Sequence, residues 1–492
     1  MAGFRFIDLA KPFLPLIPEV EIPYEKIGFD EKVVYTIISA LIYLFTQFPL
    51  AGVAKDVGAG SVQDPIYFLR SVFASEPRTL LEFGIFPIVS SALLLQLLAG
   101  LKIVKVNFKL RQDRELFQTL TKMIAILQYF LLANVFIFSG FYGENLSVVA
   151  IVLLNVQLVA AGIFATLLVE VVDKGYGFGS GAMAVSVVAT ATSFVADVFG
   201  VTQFPVDGDG HREAQGAFIN LTQSLRSSHK TYTSAILGAF NRDYLPNLTT
   251  AFLVVGLAAV SGWLQNFRIE LSIRSTRARG INNVYPIRLL YTGGLPLLFS
   301  YVLLFYIHIG AFILIQIVAK NDPSSLIYKL LGGYSSVNNL LYVPQFPLSL
   351  LTPSKSLIEN LTRQPLTAFT FTAFLVVSSV WFAVVWQGIS GSSARDISVQ
   401  FKEQGITLTG RREQSVAKEL EKVIPVASGA GAGVLAVIVA TGELLGLKGK
   451  GASIVIGITS AFALLELITV DYQQSGGQSA LAQVLGAPGG GF

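Results

Sequence analysis

Long apolar runs separated by shorter polar stretches dominate this chain. Ten of them reach the roughly 20 residues that a helix needs to cross a bilayer: 33–53, 84–101, 119–139, 148–171, 181–202, 249–267, 289–318, 366–389, 424–445 and 451–470. The seventh has 30 residues. At about 1.5 Å per residue it exceeds a hydrocarbon layer of roughly 30 Å, which predicts a strong tilt or a projection into water. An eleventh stretch, SVQDPIYFLRSVFAS (61–75), is apolar on one face but too short to span, and it carries Asp64, Pro65 and Arg70. It reads as an amphipathic helix on the outer surface or as a half-helix folded into a cavity, where irregular backbone is tolerated at membrane depth. Ahead of the first run, FRFIDLAKPFLPLIPEV is amphipathic and broken by Pro12, Pro15 and Pro18. This pattern predicts a segment lying on the membrane surface. The expected class is an all-α polytopic membrane protein. Ten spans divide into five and five, and an odd-numbered unit repeated in tandem inserts its second copy upside down.

Composition agrees with the pattern. Of 492 residues, 53% are hydrophobic and only 13% charged, against about 25% charged in ordinary soluble domains. With no cysteine, the chain can hold neither a disulfide nor a Cys-based metal site. His211, His229 and His308 are too scattered for a His-rich metal cluster. Residues 1–32 lack the apolar core of a cleavable signal peptide.

Charge placement sets the direction. With a cytosolic N-terminus, 22 of the 35 Lys and Arg fall on the cytosolic side, Lys122 among them at the start of the third span. The positive-inside bias therefore favours both termini in the cytosol. Asn-x-Ser/Thr triplets at Asn145, Asn220, Asn247 and Asn360 all fall on the opposite side. The chain then divides into an amphipathic segment (1–32), an N-terminal half (33–202), a lumenal loop (203–248), a C-terminal half (249–470) and a cytosolic tail (471–492).

Candidate chemistry is sparse. KGYGFGSG (174–181) holds a G-x-G-x-G, but no strand precedes it and no Walker lysine follows. It reads as a tight turn between spans four and five rather than a nucleotide site. Acids near the spans are few: Glu170, Asp173, Asp197, Glu443 and Glu466. An ion-coupled carrier of small solutes would use such groups, and Asp197 and Glu466 are the more interior, without an evident facing partner. The residues form no triad, catalytic carboxylate pair or metal-ligand cluster, so no enzyme and no cofactor is expected. Two cytosolic loops concentrate basic residues. Loop 268–288 carries Arg268, Arg274, Arg277, Arg279 and Arg288; loop 391–422 carries Lys402, Arg411, Arg412, Lys418 and Lys422. Arginine clusters on flexible tips suit phosphate backbones, or they serve only as orientation signals.

Ordered blocks carry a resemblance. KPFLPLIPEV, EFGIFPIVSS, KGYGFGSG, LSIRSTRARG, YPIRLLYTGGLP, ISGSSARDISVQFKEQGI and GRRE together resemble the alpha subunit of the eukaryotic Sec translocon, in the SecY family. NRDYLPNLTT, STRARGINNVYPI and YQQSGGQSALAQVLG resemble above all its second fungal paralogue, the Ssh-type channel. The resemblance implies ten spans in two inverted five-helix halves around an hourglass pore in the endoplasmic reticulum membrane. It implies an apolar pore ring at Ile85, Val89, Ala182, Ser186, Leu298 and Ile456, where Ala182 and Ser186 are smaller or more polar than a fully aliphatic ring. It places a plug at 61–75, with Asp64, Pro65, Leu69 and Arg70, and a lateral gate between spans 2–3 and 7–8. Positions that are often Gln and Asn at that gate align with Leu132 and Tyr306, with Asn134 nearby. An acid late in span 8 aligns with Gly388, which leaves Arg70 unpaired. Arg274, Arg277, Arg279, Arg411 and Arg412 are expected to dock on ribosomal RNA. The implied partners are small gamma and beta subunits, the ribosome, nascent polypeptides with their signal sequences, and membrane lipid.

Overall fold

The computed structural model describes residues 5–53, 64–143, 146–205, 212–226, 232–240, 242, 245–275, 282–320, 322–337, 341–353, 362, 364–408 and 416–474. The first half contains α1 (Phe29–Phe45), α2 (Phe86–Gly100), α3 (Arg111–Phe138), α4 (Val148–Val171) and α5 (Gly181–Phe199). An insert follows, with the strands β1 (Gln203–Pro205) and β2 (Arg212–Ala214) and the helices α6 (Ala217–Arg226) and α7 (Tyr232–Phe240). The second half begins with α8 (Leu248–Leu264), then β3 (Arg268–Ser275) and β4 (Asn282–Arg288), then α9 (Leu295–Ile313). Past α10 (Leu326–Leu331), β5 (Tyr334–Val337) and β6 (Leu341–Pro344), it continues through α11 (Pro365–Ile389), α12 (Ala394–Gln404), β7 (Ile406–Leu408), α13 (Val416–Gly442) and α14 (Lys450–Gln474). Five spanning helices thus fall in each half.

Local chemistry sets the helix starts. Pro87, Pro296 and Pro365 stand in first turns, where a missing N–H costs nothing. Ser147 and Asn247 accept from the backbone N–H of Ala150 and Thr250 to cap α4 and α8. The 30-residue seventh run is not one long helix. Residues 291–294 form a turn ahead of Pro296, and the helix from Leu295 ends at Val318 in a π-turn. No extreme tilt is therefore needed.

Residues 268–275 and 282–288 of the basic loop form two antiparallel strands. Arg268 faces Arg288 and Ile273 faces Asn283 across β3–β4, and β7 pairs with the other edge of β3. The apolar side of this sheet covers Ile397 and Phe401 of α12 and Leu420 and Ile424 of α13. The two basic loops therefore share one small core. The N-terminal segment is also docked: a 3₁₀ helix, Phe6–Phe13, buries Ile7 and Ala10 against Leu116, Phe117 and Leu120 of α3. An Arg5–Asp113 ion pair at 2.9 Å holds it, and farther along Glu19 meets Lys174 at 2.5 Å.

Candidate functional site

A cavity of about 680 Å³ lies between the halves, and Val89, Ala182, Ser186, Leu298 and Ile456 line it. These side chains come from α2, α5, α9 and α14, so four separate helices bring them together. Ile85, just ahead of α2, does not line the cavity. It is completely buried one turn before Val89, and its backbone N–H donates to the Phe73 carbonyl at 2.9 Å. The Ser186 hydroxyl donates to the Ala182 carbonyl of its own helix at 2.8 Å. Its proton is satisfied within α5, which reduces the polarity it shows to the cavity. Toward the β3–β4 sheet, the wall carries a forked Arg288–Glu466 pair, at 2.6 and 2.9 Å.

Residues 64–75 are folded into the protein, in one apolar cluster with the cavity residues Val89 and Ile456. The segment is turns and a single 3₁₀ turn, Arg70–Phe73, not a half-helix. Its apolar side chains Ile66, Phe68, Leu69 and Phe73 are all buried. Phe68 meets the His308 ring edge-on at 5.0 Å, and Phe73 meets Phe86 and Phe305. The Phe68 carbonyl lies so close to Gly449 that a Cβ there would stand 1.7 Å away, and Gly449 has φ +88°. Only glycine meets both conditions.

Arg70 is not unpaired. Its guanidinium, buried with the segment, binds Asp64 and reaches Glu82 at 2.5 Å, while Nη1 donates to the Glu82 carbonyl at 2.8 Å. The Phe141 ring lies 5.8 Å from it. Two nearby acids have taken the place of the partner expected late in span 8, so Gly388 deprives Arg70 of nothing. Glu82 was visible in the sequence but was read only as the edge of a span. Tyr43 and Tyr129 complete the seat, donating to the Ala74 and Gly84 carbonyls at 2.9 and 2.7 Å.

On one side, α2 and α3 meet α9. Phe86 stacks on Phe305, and the Tyr306 ring meets Phe86 at 5.3 Å. The polar contact is a chain: the Ser90 hydroxyl donates to Gln128 Oε1 at 2.7 Å, and Gln128 Nε2 donates to the Tyr306 hydroxyl at 3.0 Å. Tyr306 thus lies at the seam as expected. Leu132 is buried one turn beyond Gln128, which carries the polar role instead. Asn134 faces away from α9; it bonds the Phe130 carbonyl and approaches Asn155 of α4.

On the opposite side, α5 packs along α14. Thr190 bonds Ser453 at 3.0 Å, and Gly457 lies against Thr190. Lys450 pairs with Asp197 at one end, and Lys32 pairs with Asp471 at 3.1 Å at the other. Asp197 and Glu466 therefore both have cationic partners. Glu170 pairs with Lys122 at 2.6 Å, and Asp173 accepts from Gly181 N at 2.8 Å. Glu443 accepts from Gly449 N at 2.5 Å and Ala452 N at 3.1 Å. Each acid that a coupled carrier would have used is already committed to a structural contact. Arg274 is exposed on β3. Arg277, Arg279, Arg411 and Arg412 lie outside the described residues, as does 61–63 of the expected plug.

Known proteins match this architecture throughout. The SecY family model matches residues 79–465, and the model for the plug domain of Sec61p matches 41–77. The Sec sixty-one protein homolog of Saccharomyces cerevisiae is 63% identical over 489 residues, covering 99% of this chain and 100% of that protein. The protein transport protein SEC61 subunit alpha of Debaryomyces hansenii is 37% identical over 481 residues, covering 95% and 96%. The structure of the idle yeast Ssh1 complex bound to the yeast 80S ribosome superposes with TM-score 0.79 over 100% of both chains. Sec61 in the canine ribosome-channel complex from the endoplasmic reticulum superposes with TM-score 0.72 over 94% of this chain and 96% of that one. At 20% identity, that second likeness speaks for the fold alone. With ten spanning helices, a buried plug segment, a cavity between two halves, and these matches, the chain belongs to the SecY family and carries the plug domain of Sec61p.

Proposed function

We propose that this chain is the pore-forming subunit of a protein-conducting channel in the endoplasmic reticulum membrane, with both termini cytosolic. It binds ribosomes, conducts secretory chains and releases membrane segments sideways. One observation carries this reading: a cavity between the halves is lined by Val89, Leu298 and Ile456, and the buried segment 64–75 packs in one apolar cluster with Val89 and Ile456. An apolar constriction withholds hydration from ions and so gates by dewetting. A polar nascent chain displaces residues 64–75 and crosses. An apolar segment leaves between α2–α3 and α9 instead, because each leucine gains a few tenths of a kcal/mol in lipid while a charge loses about 2.5–3.5 kcal/mol at the helix centre. No bond is made or broken; the channel is not an enzyme, and direction comes from the ribosome or another motor.

Val89, Ala182, Ser186, Leu298 and Ile456 form the ring, and Ile85 is buried one turn ahead of Val89 in support of it. Arg274, Arg277, Arg279, Arg411 and Arg412 meet ribosomal RNA from two loops that share the β3–β4–β7 sheet. Gamma and beta subunits complete a heterotrimer. The carrier reading is weaker because its acids are engaged in ion pairs and caps. A photo-crosslinker placed at Val89 tests the choice in membranes programmed with a stalled secretory chain. Adducts with the nascent polypeptide are expected. Their absence, together with solute flux that depends on Asp197 or Glu466, would establish the carrier instead.

A further inference from the structure

The stretch between α2 and α3 alternates apolar and basic residues: Leu101, Lys102, Ile103, Val104, Lys105, Val106, Asn107, Phe108, Lys109, Leu110. Leu101, Ile103, Phe108 and Leu110 are all exposed, Ile103 by 67%. In water this many uncovered aliphatic and aromatic groups in ten residues would be costly. Beside them, the 3₁₀ helix of the N-terminal segment turns Ile7 and Ala10 into the protein and leaves Phe6, Leu9 and Phe13 outward. The two elements make one continuous apolar surface joined by the Arg5–Asp113 pair.

The charge of this surface has one sign. Its acids are already used: Asp113 by Arg5, Glu115 by Arg111 at 2.8 Å, and Asp8 by Lys11 at 3.0 Å. Lys102, Lys105, Lys109 and Arg114 are exposed and form no ion pair among the described residues. Basic residues interleaved with exposed apolar ones, at the end of a spanning helix, suit a negatively charged lipid interface. A nucleic acid would match the cations but leave the aliphatic groups in water. The location adds a consequence. Gly100, the last residue of α2, packs so closely on Ile389 at the end of α11 that a Cβ would meet it at 2.3 Å. The surface therefore begins where the two halves touch on the side-exit face.

We infer that residues 101–114, with the outward face of Phe6–Phe13, gather anionic phospholipid headgroups at the cytosolic mouth of the side exit. The cytosolic placement rests on the orientation proposed above; the lipid preference does not.

The absence of native cysteine makes the test clean. Ile103→Cys carries a single environment-sensitive fluorophore, with Arg274→Cys on the hairpin as the aqueous control. The complete channel, with its small subunits, is reconstituted in vesicles containing nitroxide-labelled phosphatidylserine or, at the same mole fraction, nitroxide-labelled phosphatidylcholine. Quenching at position 103 should show phosphatidylserine enriched about fivefold over phosphatidylcholine, the value of one basic residue at a membrane surface. The triple change Lys102→Gln, Lys105→Gln and Lys109→Gln should abolish that excess while shallow quenching persists. Equal quenching by the two lipids overturns the proposal. So does an unquenched label that becomes shielded only when ribosomes bind, which would mark an RNA contact. Nitroxide lipids occupy both leaflets, so this outcome is independent of sidedness. An impermeant thiol reagent applied outside sealed microsomes tests the orientation separately, through its access to Arg274→Cys.

Discussion

Along α5 and α14 the halves meet through hydroxyls, a glycine and an ion pair, with a second ion pair from α1 at the far end. Along α2, α3 and α9 they meet through stacked aromatic rings and one hydrogen-bonded chain, Ser90–Gln128–Tyr306. The difference decides which side can open. Rings that leave one another can be met by the aliphatic side chains of an arriving segment, so dispersion is exchanged rather than lost. Hydroxyls and charges have no such substitute in hydrocarbon, where unpaired polar groups cost several kcal/mol each. Small residues that admit close backbone approach strengthen the same side. In the proposed channel, the α5–α14 seam would serve as the hinge and the aromatic seam as the exit.

The plug stands apart from both seams, and the largest expected effect isolates it. Arg70→Met leaves Asp64 and Glu82 buried against each other without their cation, a loss of about 3–5 kcal/mol. Ion leak through reconstituted channels should rise sharply, and the added changes Asp64→Asn and Glu82→Gln should restore much of the seal. Next, Gly457→Leu forces a side chain against Thr190, where even a Cβ would lie 2.9–3.0 Å away. Overpacking of this kind costs about 1–3 kcal/mol. It should lower the Tm of the purified channel, read by heating followed by size-exclusion chromatography, without raising leak as Arg70→Met does. Third, Tyr306→Phe removes the gate hydrogen bond and leaves Gln128 Nε2 without its acceptor. The closed seam weakens by about 1 kcal/mol. The least hydrophobic segment that still inserts should then need about two fewer leucines, at roughly 0.5 kcal/mol each. An unchanged threshold would show that the hydrogen-bonded chain does not hold the seam. Smallest is the partly exposed Lys450–Asp197 pair. A double-mutant cycle with Lys450→Met and Asp197→Asn should give a coupling below about 1 kcal/mol that falls with added salt.

The spanning helices were legible because an apolar run of membrane length has few other uses, and five-plus-five followed from counting. The polar contact at the α3–α9 seam comes from Gln128, one turn before Leu132. The two are four apart and share a helical face, so apolar periodicity alone does not distinguish them. The pairing of Arg70 is hidden for a different reason. Its partners lie 6 residues before it and 12 after it, and charges in irregular turns follow no period that a sequence reveals. The hairpin, by contrast, was visible: Ile269, Leu271 and Ile273 alternate with Arg268, Glu270, Ser272 and Arg274, the signature of a half-buried strand. Attention to the arginines alone obscured it.

The buried charges around Arg70 all belong to one half: Asp64 and Arg70 in the plug, and Glu82 just ahead of α2. Among the described residues, the plug meets the other half through Phe68 with His308 and Gly449 and Phe73 with Phe305. Opening the aromatic seam therefore leaves these three charges together, and the plug can travel as a passenger of the side that moves. Insertion of a membrane helix and passage of a soluble chain then become two transactions with separate barriers. A channel devoted to the first can remain watertight throughout.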